Sequence, residues 1–229
     1  MLTDIPVPAM GFVPTEELAK RTGSSVDAFS YHFYGSVSQR CASMGIGKAQ
    51  KDEALSARWL DLTLRDYDFY ADIRDRHASG KPIWNTETAQ AACGGSPWAA
   101  TFLDTFRYLN QNGALAQRGV QVVIHNTLAA SDYALIDQDT LAPRPNYWAA
   151  VLWRRLMDRT VLASPAAPDA NTRLYAQCLR GTPGGVAVLA LNTGSAAVSF
   201  SVGSKAHRPA QEMSKRGASA AKASGAALA

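Results

Sequence analysis

Three cysteines in 229 residues, with no CxxC pair, no HExxH and no other histidine cluster, leave no spacing for a zinc site or a redox dithiol. Long hydrophobic runs are absent as well. The longest purely apolar stretch is the six residues from Val186 to Leu191, against the roughly 20 that a helix needs to cross a bilayer. The opening MLTDIPVPAMGF holds Asp4 and two prolines but neither a basic n-region nor an apolar h-region, so it does not read as a signal peptide. Surplus charge is missing from most of the chain too. Residues 1–202 carry 18 bases and 18 acids, and the whole net charge of +4 lies beyond them. There, Lys205, Arg208, Lys215, Arg216 and Lys222 face a single acid, Glu212. The basic balance thus belongs to a tail, and the neutral remainder gives no footprint for nucleic acid. That tail, 203–229, is rich in Ala, Ser and Gly. It reads as disordered and resembles a frameshifted terminus more than a binding arm.

What is present is globular. The chain is 47% hydrophobic, and its five Trp, eight Tyr and seven Phe exclude a wholly disordered polymer. Thr15 followed by Glu16 and Glu17, with Lys20-Arg21 before Gly23, predicts a short helix capped by Thr15. VDAFSYHFYG (26–35) predicts a strand. Leu55, Trp59, Leu62, Phe69 and Ile73 then set out a long amphipathic helix from Asp52 to His77. The pattern recurs: KPIWNTET (81–88) as strand, then a helix with Phe102, Phe106 and Leu109 on one face. VQVVIHN (120–126) follows as a third strand, and Pro145 opens a helix carrying Trp148, Val151, Leu152 and Leu156.

Strand, loop and helix repeated with connections too long for hairpins predict a parallel sheet. From about residue 160 the grammar changes. TRLYAQCLR, VAVLALNT and AVSFSV are short strands, and TPGG between the first two is a hairpin turn rather than a phosphate loop.

In parallel β/α folds chemistry collects at the carboxyl ends of the strands. Those ends carry Tyr31-His32-Phe33-Tyr34, Asn85-Thr86-Glu87 and His125-Asn126. Simple alternation puts Ile83, Asn85 and Glu87 on one face of the second strand, and Val122, Ile124 and Asn126 on one face of the third. An ionised carboxylate ending an apolar strand resists burial without partners, so Glu87 reads either as an ion pair or loop cap, or as a working group. His32 alone reads as a packed core histidine before a catalytic one, and alternation turns His125 away from Asn126. Tyr133 and Asp132 fit a packed aromatic and a turn residue equally well. Cys41 and Cys93 fall in loops at the carboxyl ends of neighbouring strands. They are either a disulfide, in an oxidising compartment, or two unrelated small residues. Cys178 reads as a strand residue.

WNTETAQAACGGSPWAATF resembles the nucleophile segment of the heparanase-like β-glucuronidases, glycoside hydrolase family 79, where Trp-x-x-Glu-Thr precedes a Gly-Gly pair. VDAFSYHFYG is similar to that family's sixth strand with its His-x-Tyr. VQVVIHNTLAASDYALIDQDTLAPRPNYWAAVLWRRLM resembles its eighth strand, the following loop with an Asp-Tyr step, and the closing helix with Asn-Tyr-Trp. The likeness covers about residues 8–200. It implies an α/β chain organised as 1–158, the part of a (β/α)8 barrel holding strands six to eight; 159–202, a partial antiparallel β-sandwich; and 203–229, the tail. It implies a retaining hydrolase of β-glucuronide glycans with Glu87 as nucleophile and with no cofactor or metal. His32, Tyr34 and Asn126 match residues lining the same pocket. Gly94, Gly95 and Tyr133 match the backbone donors and phenol that hold the sugar's carboxylate, a task suited to glycines because backbone can approach an anion closely. One residue is added between Glu87 and the glycines, and Cys93 falls near the family's tyrosine.

Retaining chemistry also needs a second carboxyl group roughly 5–5.5 Å from the nucleophile. In this family it belongs to an Asn-Glu pair ending the fourth strand, and no Asn-Glu pair precedes His32. The expectation is therefore a chain that starts near the end of the fifth strand, lacks the acid/base, and is inactive alone. Open sheet edges predict self-association. A barrel glycosidase of different sugar preference and a non-catalytic carbohydrate-binding remnant are the rival readings. The resemblance implies an extracellular or periplasmic setting for an intact family member, and no integral membrane segment here.

Overall fold

The computed structural model describes residues 14–44 and 48–202; the basic tail lies outside them. Ten regular elements follow in order: α1 (Thr15–Thr22), β1 (Phe29–Tyr34), α2 (Ala57–His77), β2 (Ile83–Ala89), α3 (Leu103–Gln117), β3 (Val123–His125), α4 (Pro145–Leu156), β4 (Met157–Leu162), β5 (Thr172–Leu179) and β6 (Val186–Asn192). Strands β1, β2 and β3 pair in parallel in that order, with β2 central. Strands β4, β5 and β6 pair antiparallel. The chain is thus a mixed α/β structure with one parallel and one antiparallel sheet.

The sequence periodicities place the elements well and their ends less well. Thr15 is the first residue of α1, not its cap; Pro14 stands at the cap position and makes no side-chain bond there. The long helix opens at Ala57 rather than Asp52. Ser56 caps it by accepting the Trp59 N–H, while Lys51–Ser56 is consumed by turns. Trp59, Leu62 and Ile73 are buried as their spacing predicts, but Phe69 is exposed and lies edge-on to Tyr70, which takes the inward position. In β1, Phe29, Tyr31 and Phe33 turn toward the helices, with Tyr31 stacked on Tyr70 at 4.9 Å. Ser30 and His32 are left on the open face.

Two corrections concern how the helices pack. Phe102 precedes α3 and is exposed, while Phe106 and Leu109 pack with Ala114, Tyr175 and Leu191, against the antiparallel sheet. Toward the parallel sheet α3 gives Leu103 and Leu115 to the apolar core together with a buried polar cluster, in which Asp104 and Arg107 form a two-point ion pair at 2.7 and 2.8 Å, both almost wholly buried. Asn146 at the start of α4 donates to Asp104, and Gln111 links Arg107 to Thr88 of β2. Second, Trp148, Leu152 and Leu156, apolar residues that the sequence places on α4, are exposed, as is Ile124 of β3. In the antiparallel sheet, residues 197–202 form no strand, whereas β4 follows α4 directly with no turn signal to announce it.

The two sheets meet across α3. Asn110 accepts from the Tyr175 hydroxyl at 2.6 Å and donates to the Leu60 carbonyl, and a Cβ on Gly113 would run into the Tyr175 ring. Gly113→Ala is therefore expected to destabilise the fold by about 1–3 kcal/mol, against the roughly 1 kcal/mol that helix propensity alone would add in its favour. A thermal melt that rises on substitution would contradict this packing.

Candidate active site

The strand ends converge because β2 carries one extra residue. Tyr31 pairs with Asn85, but His32 pairs with Glu87, so Thr86 has no partner on β1. The offset persists on the other side, where Asn85 pairs with Val123 and Thr88 with His125. Such an insertion reverses the facing of everything beyond it. Ile83 and Asn85 therefore point with Tyr31 toward the helices, while Glu87 emerges on the open face beside His32. The single face expected for Ile83, Asn85 and Glu87 is thus overturned, and the irregularity is what exposes the carboxylate.

On that open face, Tyr34 donates its phenol to Glu87 Oε1 at 2.6 Å and accepts from Asn126 Nδ2 at 2.8 Å. His32 Nδ1 lies 3.7 Å from Glu87 Oε2. Asn126 Nδ2 also lies 3.5 Å from the Tyr133 hydroxyl, and the Tyr34 and Tyr133 rings are tilted neighbours at 6.3 Å. Burial, and next the bond to Glu87, hold the Tyr34 phenol far above the ordinary tyrosine range, so it stays a donor. Each donor thus has one direction, ending on the carboxylate. His125 is turned to the other face, as alternation predicts: its Nε2 bonds the Tyr133 carbonyl at 2.8 Å and its ring packs against Tyr108. Burial pushes its pKa down to about 4, which keeps it neutral at physiological pH.

The loops after the strands form a rim. Cys41 and Cys93 are joined by a disulfide that ties the loop after β1 to the loop after β2. Cys93, Gly94 and Gly95 have φ of 63, 82 and 78°, three consecutive left-handed residues. The non-glycine among them is secured by the disulfide and by Ser38, whose hydroxyl donates to the Cys93 carbonyl. Gly95 lies against Tyr133, where a Cβ would meet the ring, and its N–H donates to the Ala91 carbonyl at 3.1 Å. Gly94 accepts from the Asp132 N–H at 2.9 Å. The sequence reading passed over Arg40, which spans this rim. Its Nη2 donates to Asp132 Oδ2 at 2.8 Å and its Nη1 lies 3.4 Å from the Cys93 carbonyl. Asp132, 92 residues away, offers no sequence signal for that contact. Among the described residues, no group of three His, Cys, Asp or Glu side chains is placed to hold a metal ion, and no helix is long and apolar enough to cross a membrane.

A carboxylate that accepts from one phenol and has an imidazole 3.7 Å away, on an open strand-end face, can attack an electrophilic carbon or hold a cation. No family model matches the chain. It is similar to heparanase-like protein 1 of Arabidopsis thaliana, 29% identical over 170 residues, which is 74% of this chain and 30% of that protein. The heparanase of Mus musculus is 29% identical over 163 residues, 69% of this chain and 29% of its own length. The baicalin-beta-D-glucuronidase of Scutellaria baicalensis is 31% identical over 146 residues, 63% of this chain and 28% of its own. The chain spans about 30% of the length of these relatives. Placed beside the strand-end geometry, this likeness makes the chain a member of the heparanase-like β-glucuronidase family.

Proposed function

We propose that these strand ends are part of the active site of a retaining hydrolase acting on β-glucuronide glycans, with Glu87 as nucleophile, in the portion of a (β/α)8 barrel that holds strands six to eight. The observation that carries the reading is the one-way chain of donors from Asn126 through Tyr34 to Glu87. It aims the carboxylate, as formation of a glycosyl ester at the sugar's C1 requires. His32 borders the same carboxylate, and Tyr133 with the Gly94-Gly95 turn forms the wall on which a uronate carboxylate would rest. The names of the relatives, heparanase and a β-D-glucuronidase, support a glucuronide as the sugar.

In this reading the acid/base carboxyl group is missing from the chain. Glu16, Glu17, Glu53, Asp61, Asp66, Asp68, Asp72, Asp75, Asp104, Asp137 and Asp158 are engaged in ion pairs with basic side chains. Asp132, on the rim, is held by Arg40. Such a chain forms the ester but does not expel a leaving group that must be protonated. The exposed apolar residues of β3 and α4 support self-association.

The test separates these steps. 2,4-Dinitrophenyl 2-deoxy-2-fluoro-β-glucuronide, whose phenolate departs without a proton, is expected to release dinitrophenolate in a stoichiometric burst. Methyl β-glucuronide should remain intact over the same period. Absence of the burst removes Glu87 from the nucleophile's role; steady hydrolysis of the methyl glucuronide would mean that the chain does hold an acid/base.

A further inference from the structure

We infer that Arg40 is the residue that distinguishes a uronate from a neutral sugar at this site, a reading that rests on the proposed glucuronide chemistry and goes beyond it. One backbone donor of the cradle is already in use. The Gly95 N–H is committed to the Ala91 carbonyl, and the Gly94 carbonyl faces the rim as an acceptor occupied by Asp132. What stands beside the cradle is a cation. A Cβ added to Gly94 would strike Arg40 Nη1, so glycine at 94 gives the guanidinium its room. Gly95, the next residue, opens instead onto Tyr133. The turn therefore has the phenol of the proposed sugar pocket on one side and the guanidinium on the other.

Arg40 already binds one carboxylate. Asp132 Oδ2 sits 2.8 Å from Nη2, and the Asp132 backbone is fixed by its own N–H bond to Gly94 and by Arg144, which donates to the Ser131 and Asp132 carbonyls. The position of an acid against this guanidinium is thus built into the loop. A guanidinium has five N–H donors in a planar fork and can serve one carboxylate on each edge. The side chain of Arg40 is 56% exposed, and the contacts to Asp132 and Cys93 leave donors for a second acid. An incoming uronate either takes the free edge or displaces Asp132; in both cases Asp132 competes for the same charge. Arg40 is held in reach by its neighbour Cys41, whose disulfide to Cys93 fixes both loops.

Titration of the full chain with methyl β-glucuronide and methyl β-glucoside, followed by saturation-transfer NMR, tests this directly. The unaltered chain should prefer the glucuronide. Arg40→Gln should lose that preference by about 10- to 100-fold, the scale of a charged hydrogen bond, with glucoside binding unchanged. Arg40→Lys, which keeps the charge but not the fork, should recover part of it. Asp132→Asn should tighten glucuronide binding without altering that of the glucoside. A merely structural Arg40–Asp132 pair would weaken both sugars in both variants, and that result, or a preference that survives Arg40→Gln, overturns the inference. An unaltered chain that binds the two sugars equally, or neither, would overturn the glucuronide reading and the role of Arg40 together.

Discussion

Glu87→Gln is expected to abolish covalent capture of an activated glucuronide, and Tyr34→Phe to slow it by about 10- to 100-fold. The first follows from chemistry alone, since an amide cannot form the ester bond to C1 that displaces the leaving group at a useful rate. The second follows from geometry. Tyr34 donates to Glu87 at 2.6 Å and is itself fed by Asn126 at 2.8 Å, so the phenol links the amide to the nucleophile. Without it, Glu87 loses the donor that orients it, and Asn126 loses an acceptor. The same phenol would stabilise the carboxylate as it departs from C1, so the trapped ester should persist longer in Tyr34→Phe. The burst rate and the decay of the adduct measure the two effects separately. A Tyr34→Phe chain with an unaltered burst, and a melt equal to that of the parent, would remove the relay from the account.

The largest effect on stability is expected at Arg107. Its guanidinium grips both oxygens of Asp104, which is 0% exposed, and also bonds Gln111. Arg107→Ala leaves a buried carboxylate with only the Asn146 amide as partner, a loss of about 3–5 kcal/mol. For a chain of this size that corresponds to a fall in melting temperature on the order of 10 °C. Replacing both partners, Asp104→Leu with Arg107→Met, should cost less than Arg107→Ala, because no charge is then stranded. A double variant worse than the single one would show that the pair stabilises the fold outright. The network also touches the site. Gln111 Nε2 donates to Thr88 Oγ1 at 2.9 Å, and Thr88 follows Glu87 directly in β2.

These same residues explain what could be read from the chain and what could not. Local periodicity located all four helices and the first three strands, because each signal lies within one element: the spacing of Trp59, Leu62 and Ile73, or the alternation of Phe29, Tyr31 and Phe33. The strand ends named Glu87, Tyr34, His32 and Asn126 correctly as neighbours, since a parallel sheet brings equivalent ends together whatever the details of its pairing. The face of β2 was misread because alternation assumes an unbroken register, and Thr86 breaks it without a glycine or proline to mark the place. Burial of Asp104 and Arg107 ran against the usual placement of charge, and is legible only once each is seen to satisfy the other. Phe106 and Leu109 were rightly apolar but served a second sheet rather than the first. Arg40 escaped notice because its partners are supplied by loops after two other strands.

The most direct test of the account is the mass-spectrometric location of the adduct left by 2,4-dinitrophenyl 2-deoxy-2-fluoro-β-glucuronide. After digestion, the 2-fluoroglucuronyl mass should fall on the peptide containing Glu87, fragment ions should assign it to that residue, and Glu87→Gln should leave the peptide unmodified. An adduct on Asp132, or one formed equally in Glu87→Gln, would contradict the assignment of the nucleophile.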